Sequence, residues 1–140
     1  MEIADGVHLI ASPLRRARLF GGLLARKAGC GLVIEPRLAE CNFGAWEGRT
    51  WDSIYADSGS AMMGLIEAPD TFRPGGGETT YELRDRAMAW LASVERHEGL
   101  TIAVCHGGPI AAIRGTLQGA PVRDWPSLVP AYGEQVEIMA

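Results

Sequence analysis

The stretch from Thr101 to Ile113, TIAVCHGGPIAAI, constrains this chain more than any other. A short, largely apolar strand pattern over Thr101 to Cys105 leads into His106-Gly107-Gly108, and Pro109 opens a second apolar run that reads as a helix to Gln118, with Gly119 as its stop. A parallel strand that turns through glycines into a helix leaves backbone N–H groups and a positive dipole end at the turn, where an anion is stabilised. The histidine stands at that point. Gly107 and Gly108 carry no Cβ to hold a ligand away, and Pro109 suits the first helical position, whose N–H has no intrahelical partner.

The segments before this corner repeat the same logic. Val7 to Ala11 is a short apolar run of the kind buried in a parallel sheet, and Ser12 and Pro13 follow it as an N-cap and a first helical residue. The predicted helix runs to about Lys27, ended by Gly29 or Gly31, with Leu14, Ala17, Leu24 and Ala28 on its apolar face and Phe20 and Leu23 beside them. At about 100° per residue, Arg15 aligns with Arg18, Gly22 and Arg26 on a polar face, whereas Arg16 aligns with Phe20 and Leu23 at the edge of the buried one. Arg16 therefore reads either as a guanidinium that grips phosphate beside a helix N-terminus or as one half of an ion pair. Leu32 to Glu35 reads as a second strand near a sheet edge, because Pro36 follows it.

Between these units lies less regular chain. Leu38 to Gly48 is a loop with aromatic residues, glycines, Glu40 and Glu47. A carboxylic acid desolvated against an aromatic ring is a candidate general acid, so either glutamate could serve, and both also read as solvated loop residues. Residues 50–66 suggest one or two short helices forming a lid or insert, and Ala68 to Gly77 a loop with three consecutive glycines. Thr79 and Glu82 have the spacing of a capping box, opening a helix in which Leu83, Ala87, Trp90, Leu91 and Val94 recur at helical intervals and Gly99 supplies the stop. His97, in its last turn, reads as a partner for the helix dipole. Beyond Gly119, a turn-rich segment leads to a last predicted strand at Gln135 to Met139.

At 140 residues the chain suits one domain, 1–140, and a formal net charge of -4 provides no basic field for nucleic acid. No run approaches the roughly 20 apolar residues of a membrane span, and no leader-like segment opens the chain, so a cytoplasmic protein without membrane partners is the expectation. Cys30, Cys41 and Cys105 are odd in number and lack metal-ligand spacing, as expected of buried or free thiols. Cys105 can be proposed as a nucleophile, but at the close of an apolar strand it reads as a small hydrophobe.

Four segments, Ser12-Pro13-Leu14-Arg15-Arg16-Ala17, Leu38 to Gly48, Pro74-Gly75-Gly76-Gly77-Glu78-Thr79 and His106-Gly107-Gly108, together resemble the histidine phosphatase family in their order. The resemblance implies an α/β, three-layer phosphoglycerate-mutase-like fold with a mostly parallel sheet. It also implies hydrolysis of a small phosphorylated substrate through a phosphohistidine, with no metal or other cofactor. Carried over by position, Arg16 looks like a phosphate-binding arginine and Glu40 like the proton donor. His106 looks like the second histidine, which binds the phosphoryl oxygens and stabilises their charge in the transition state, assisted by the backbone N–H of Gly107. Glu47, Glu78 and Thr79 match family positions too. The stretch from His106 to Glu134 looks most like the α-ribazole-phosphatase-like branch, and the short middle of the chain, without a long insert, disfavours a mutase.

The family's nucleophile lies in an Arg-His-Gly motif well before the Ser-Pro-Leu segment, and here only eleven residues precede Ser12 and no Arg-His-Gly occurs. The resemblance therefore implies a fold missing its first central strand and first helix. His8 is no substitute, since four residues of strand set it about 13 Å back from the active edge. Three expectations follow: no phosphohistidine on this chain alone, low stability, and self-association through exposed strand edges. A phosphatase, a phosphate-binding module without catalysis and a functionless fragment all remain compatible with the sequence.

Overall fold

The computed structural model describes residues 6–94 and 99–139. Three strands, β1 (Val7–Ala11), β2 (Leu32–Ile34) and β3 (Leu100–Val104), form a parallel sheet in the order β2-β1-β3. Leu9 sits opposite Leu32 and Ile102, and Ala11 opposite Ile34 and Val104, so all three strands end along one rim. β2 is the short edge strand that Pro36 predicts. β3, with the histidine corner at its end, forms the other edge among the described residues.

Alternation along the strands sends side chains to opposite faces and builds three layers. On one face Leu9, Leu32, Ile102 and Val104 pack under helix α1 (Arg15–Ala28) with Leu24 and Ala25. On the other, Ile10 and Ala103 join Leu38, Ala87, Trp90 and Ile113 beneath helices α4 (Thr80–Ser93) and α5 (Gly107–Gln118). The arrangement is the α/β layering expected from the sequence. Two short helices, α2 (Trp51–Ser58) and α3 (Gly64–Glu67), joined by a 3-10 turn, form the insert between β2 and α4. None of the helices among the described residues is long and apolar enough to cross a membrane.

Helix α1 departs from the expected start and face. Its N-cap is Leu14 in extended conformation, with no side-chain cap, because Ser12 and Pro13 continue beyond the strand and Ser12 turns its hydroxyl elsewhere. Ala17, Gly21, Leu24 and Ala25 are buried, while Leu19, Phe20 and Leu23 stay 51–56% exposed. Small residues decide this. A Cβ at Gly21 would stand 3.0 Å from that of Ala11, so α1 lies close to the sheet on its small side chains, and its bulkier apolar residues turn outward with Arg16.

Helix α4 begins as its sequence predicts: Thr79 Oγ1 accepts from the Glu82 N–H, and the Glu82 carboxylate accepts from the Thr79 N–H, both at 3.1 Å. It ends at a Val94 cap rather than at Gly99. His97 lies outside the described residues. Helix α5 starts at Gly107 with His106 as N-cap, which places Pro109 third in the helix rather than first. The shift costs no hydrogen bond, since the third N–H of a helix also lacks an intrahelical partner. Gln135 to Met139 forms no strand. Within it, Ile138 packs against the cluster around Trp90 and Ile113.

Candidate active site

The rim at the carboxyl ends of β1 and β3 is closed by a short polar network. In the register that pairs Ala11 with Val104, the Ser12 N–H donates to the Val104 carbonyl at 2.9 Å, carrying the pairing one step past the strands. This sets the buried Ser12 hydroxyl 2.7 Å from His106 Nε2, and the same oxygen accepts the Leu14 N–H at 3.2 Å. Ser12 thus orients the histidine rather than capping α1. His106 is 6% exposed. Burial, and then the positive charges of Arg16 and Arg86, lower its pKa from 6.5 to about 4, so the ring is neutral at physiological pH.

Glu40 reaches the same corner from a loop 68 residues earlier. Its Oε2 accepts the Gly108 N–H at 3.2 Å, and its Oε1 accepts the N–H of neighbouring Cys41 at 2.8 Å. A Cβ at Gly108 would overlap the carboxylate, which gives that glycine a specific reason to lack one. The start of α5 therefore carries a neutral imidazole at its N-cap and a carboxylate on its second N–H, both at a positive dipole end. Gly107, between His106 and Gly108 in sequence, contributes an N–H with no intrahelical partner.

Arg16 is exposed in the first turn of α1 and makes no ion pair among the described residues, and its charge acts on His106. The alternative of an ion-pair partner is thus not the arrangement seen. Of the two loop glutamates, the structure brings only Glu40 to the corner. Glu47 is exposed and its Oε1 accepts the Phe43 N–H at 2.7 Å, a contact within its own loop. The Cys105 thiol is pushed up to about 11 by burial, and that of Cys41 to about 12 by burial and the nearby Glu78 and Glu40 carboxylates. Neither supplies a thiolate near neutral pH. His8 is exposed toward the opposite end of β1, where it pairs in register with Thr101.

Sequence reasoning did not single out Arg86. Its guanidinium contacts both carboxylate oxygens of Glu78, at 2.7 and 2.9 Å, and the carbonyls of Arg37, Ala39 and Glu40. The available signal was an arginine flanking the buried Leu83, Ala87 and Trp90 stripe of α4, where a charge must find partners. Close by, the loops around Gly44 and Gly75 interlock. A Cβ at Gly75 would overlap the Phe43 carbonyl, and one at Gly77 the Asn42 carbonyl. The Glu78 N–H donates to that same Asn42 carbonyl at 2.8 Å.

The fold is shared with known proteins. The family model described as the histidine phosphatase superfamily (branch 1) matches residues 3–138. The chain is 32% identical over 118 residues to a probable phosphoglycerate mutase of Erwinia tasmaniensis, covering 81% of this chain and 54% of that protein. It is 30% identical over 130 residues to a glucosyl-3-phosphoglycerate phosphatase of Mycobacterium tuberculosis, covering 86% of this chain and 58% of the relative. A solved structure of the mycobacterial glucosyl-3-phosphoglycerate phosphatase with inorganic phosphate superposes with a TM-score of 0.71 at 29% identity, covering 86% of this chain and 62% of that one. The α-ribazole phosphatase of Shigella flexneri shares the fold, with a TM-score of 0.67 at 20% identity over 86% of this chain and 60% of that one. The chain spans a little over half the length of these curated relatives.

Proposed function

The chain belongs to the histidine phosphatase superfamily, branch 1, and from that premise we propose that it carries the proton-donating and phosphate-stabilising part of a phosphomonoester hydrolase site. The observation that carries the reading is the meeting of Glu40, His106 and the first N–H groups of α5 at one rim, with Glu40 Oε2 3.2 Å from the Gly108 nitrogen. In this reading the phosphoryl group of a small phosphorylated metabolite lies over the start of α5. Arg16, free of other partners among the described residues, reaches its oxygens, and His106 and the Gly107 N–H hold the charge that develops on them. Glu40 gives its proton to the leaving oxygen as the P–O bond breaks.

The atom that attacks phosphorus is the remaining requirement. In the phosphohistidine route it is a histidine nitrogen, and later water breaks the P–N bond and returns the proton to Glu40. These 140 residues contain three histidines, and no Arg-His-Gly motif. His106 is engaged with Ser12, and His8 stands away from the rim. With His97 outside the described residues, we read the described part of the chain as a phosphate-binding half-site. That favours, as a second reading, a module that binds a phosphorylated ligand without turning it over.

Titrating the protein with inorganic phosphate while following backbone amide resonances tests the shared part. The Gly107 and Gly108 amides move, and Arg16→Ala or His106→Ala weakens the response at least tenfold. Unmoved amides would refute both readings. Turnover of an aryl phosphate above the level of the His106→Ala protein would refute the half-site.

A further inference from the structure

The guanidinium of Arg86 sits beside the corner but is not available to a ligand. An arginine has five N–H donors, and here every one is used. Nε and one Nη2 hydrogen bind Glu78 at 2.7 and 2.9 Å, both Nη1 hydrogens bind the carbonyls of Arg37 and Ala39 at 2.8 and 2.7 Å, and the remaining Nη2 hydrogen binds the Glu40 carbonyl at 3.1 Å. Arg16 and Arg86 both act on His106 through space, but only Arg16 has donors to spare for an anion.

We infer that Arg86 is a positioning residue for Glu40: its planar fork gathers the carbonyls of Arg37, Ala39 and Glu40 and thereby aims the Glu40 side chain at the Gly108 N–H. The geometry behind this is local and specific. The three carbonyls belong to the backbone immediately before and at Glu40, so fixing them fixes where its Cα–Cβ bond points. Glu78 completes the fixation from the other side. Its Oε1 accepts the Asn42 N–H at 3.3 Å while its own N–H holds the Asn42 carbonyl at 2.8 Å, so the chain is clamped on both sides of Glu40. Glu78 also balances the charge of Arg86, with the pair only 16–21% exposed. A lysine could not replace the fork, because one ammonium on a flexible stem cannot reach a bidentate carboxylate and three carbonyls together.

The inference rests on reading Glu40 as the proton donor, and its test is independent of phosphate. Backbone amide spectra and hydrogen exchange of the wild type, Arg86→Met, Arg86→Lys and Glu40→Ala are compared. Gly108 is the clean reporter, since it is 68 residues from Glu40 and joined to it by one hydrogen bond. In Arg86→Met the Gly108 resonance moves toward its Glu40→Ala position and its exchange quickens at least tenfold, while α1 and β1 amides stay within twofold of wild type. Arg86→Lys, which keeps the charge and loses the fork, falls between. A Gly108 amide at its wild-type position in Arg86→Met overturns the inference. So does loss of a dispersed spectrum in both variants, which would make Arg86 a determinant of folding. If phosphate leaves the wild type unmoved, the proposed function fails while this comparison still decides the role of Arg86.

Discussion

Acidification perturbs this corner in a way the structure quantifies. His106 has its pKa lowered from 6.5 to about 4, first by burial and then by Arg16 and Arg86. Between those values the unfolded chain binds a proton that the native chain refuses, so stability rises with pH across the window and falls as pH drops from 6.5 to 4. At 1.36 kcal/mol per unit, the difference amounts to about 3 kcal/mol, a large share of the 5–15 kcal/mol typical of a folded domain. Glu35 and Glu82, held below the usual carboxylate range by hydrogen bonds to Arg37 and Arg73, also take up protons as pH falls, so a difference measurement is required. Urea unfolding of the wild type and of His106→Gln, which keeps a hydrogen-bonding group near Ser12, provides it. The wild type loses about 3 kcal/mol more than the variant between pH 7 and pH 4, and its imidazole resonances titrate near 4. Parallel stability curves, or an imidazole that titrates at 6.5 or above, would refute the electrostatic account of the corner.

Three further predictions concern the scaffold. Gly75→Ala, whose Cβ would overlap the Phe43 carbonyl at a φ of 60°, destabilises the protein by about 2–4 kcal/mol in chemical unfolding, whereas Gly22→Ala, with open space around its Cβ, stabilises it by up to about 1 kcal/mol. Thr79→Ala removes the cap of α4 and costs about 1 kcal/mol, measured the same way, and Thr79→Ser restores most of it. Leu19, Phe20 and Leu23 on the open side of α1 lead to concentration-dependent self-association in sedimentation, and Phe20→Lys with Leu23→Glu shifts the population toward monomer; a monodisperse monomer in the wild type would count against exposed apolar surface as a driver.

Much of the fold was legible because it is written locally. The strand-to-helix turn at His106, the Thr79 and Glu82 capping box and the edge character of β2 each depend on residues within a few positions of one another. The features that escaped depend on distant partners. Ser12 looks like an N-cap until β1 and β3 pair and bring it to His106, 94 residues away. Arg86 has no neighbourhood pattern, since its role exists only where the loop before Glu40 turns three carbonyls toward α4. Gln135 to Met139 has the alternation of a strand but is not one, and Ile138 instead packs against the cluster around Trp90. For the candidate site, family order pointed to Glu40 and His106, and the structure sets Glu40 on the Gly108 N–H, but the interlocked glycines that hold the intervening loops were not evident from spacing.

The position of β3 at the sheet edge has a geometric consequence of its own. Among the described residues it is an outer strand, and β1 and β2 run parallel to it. Any strand that docked there in parallel would lie about 4.8 Å away and finish along the same rim. Its last paired position would fall level with Val104, two residues before His106. The shared direction of the strands thus gives this rim a single end line, on which Ser12 and His106 meet from β1 and β3.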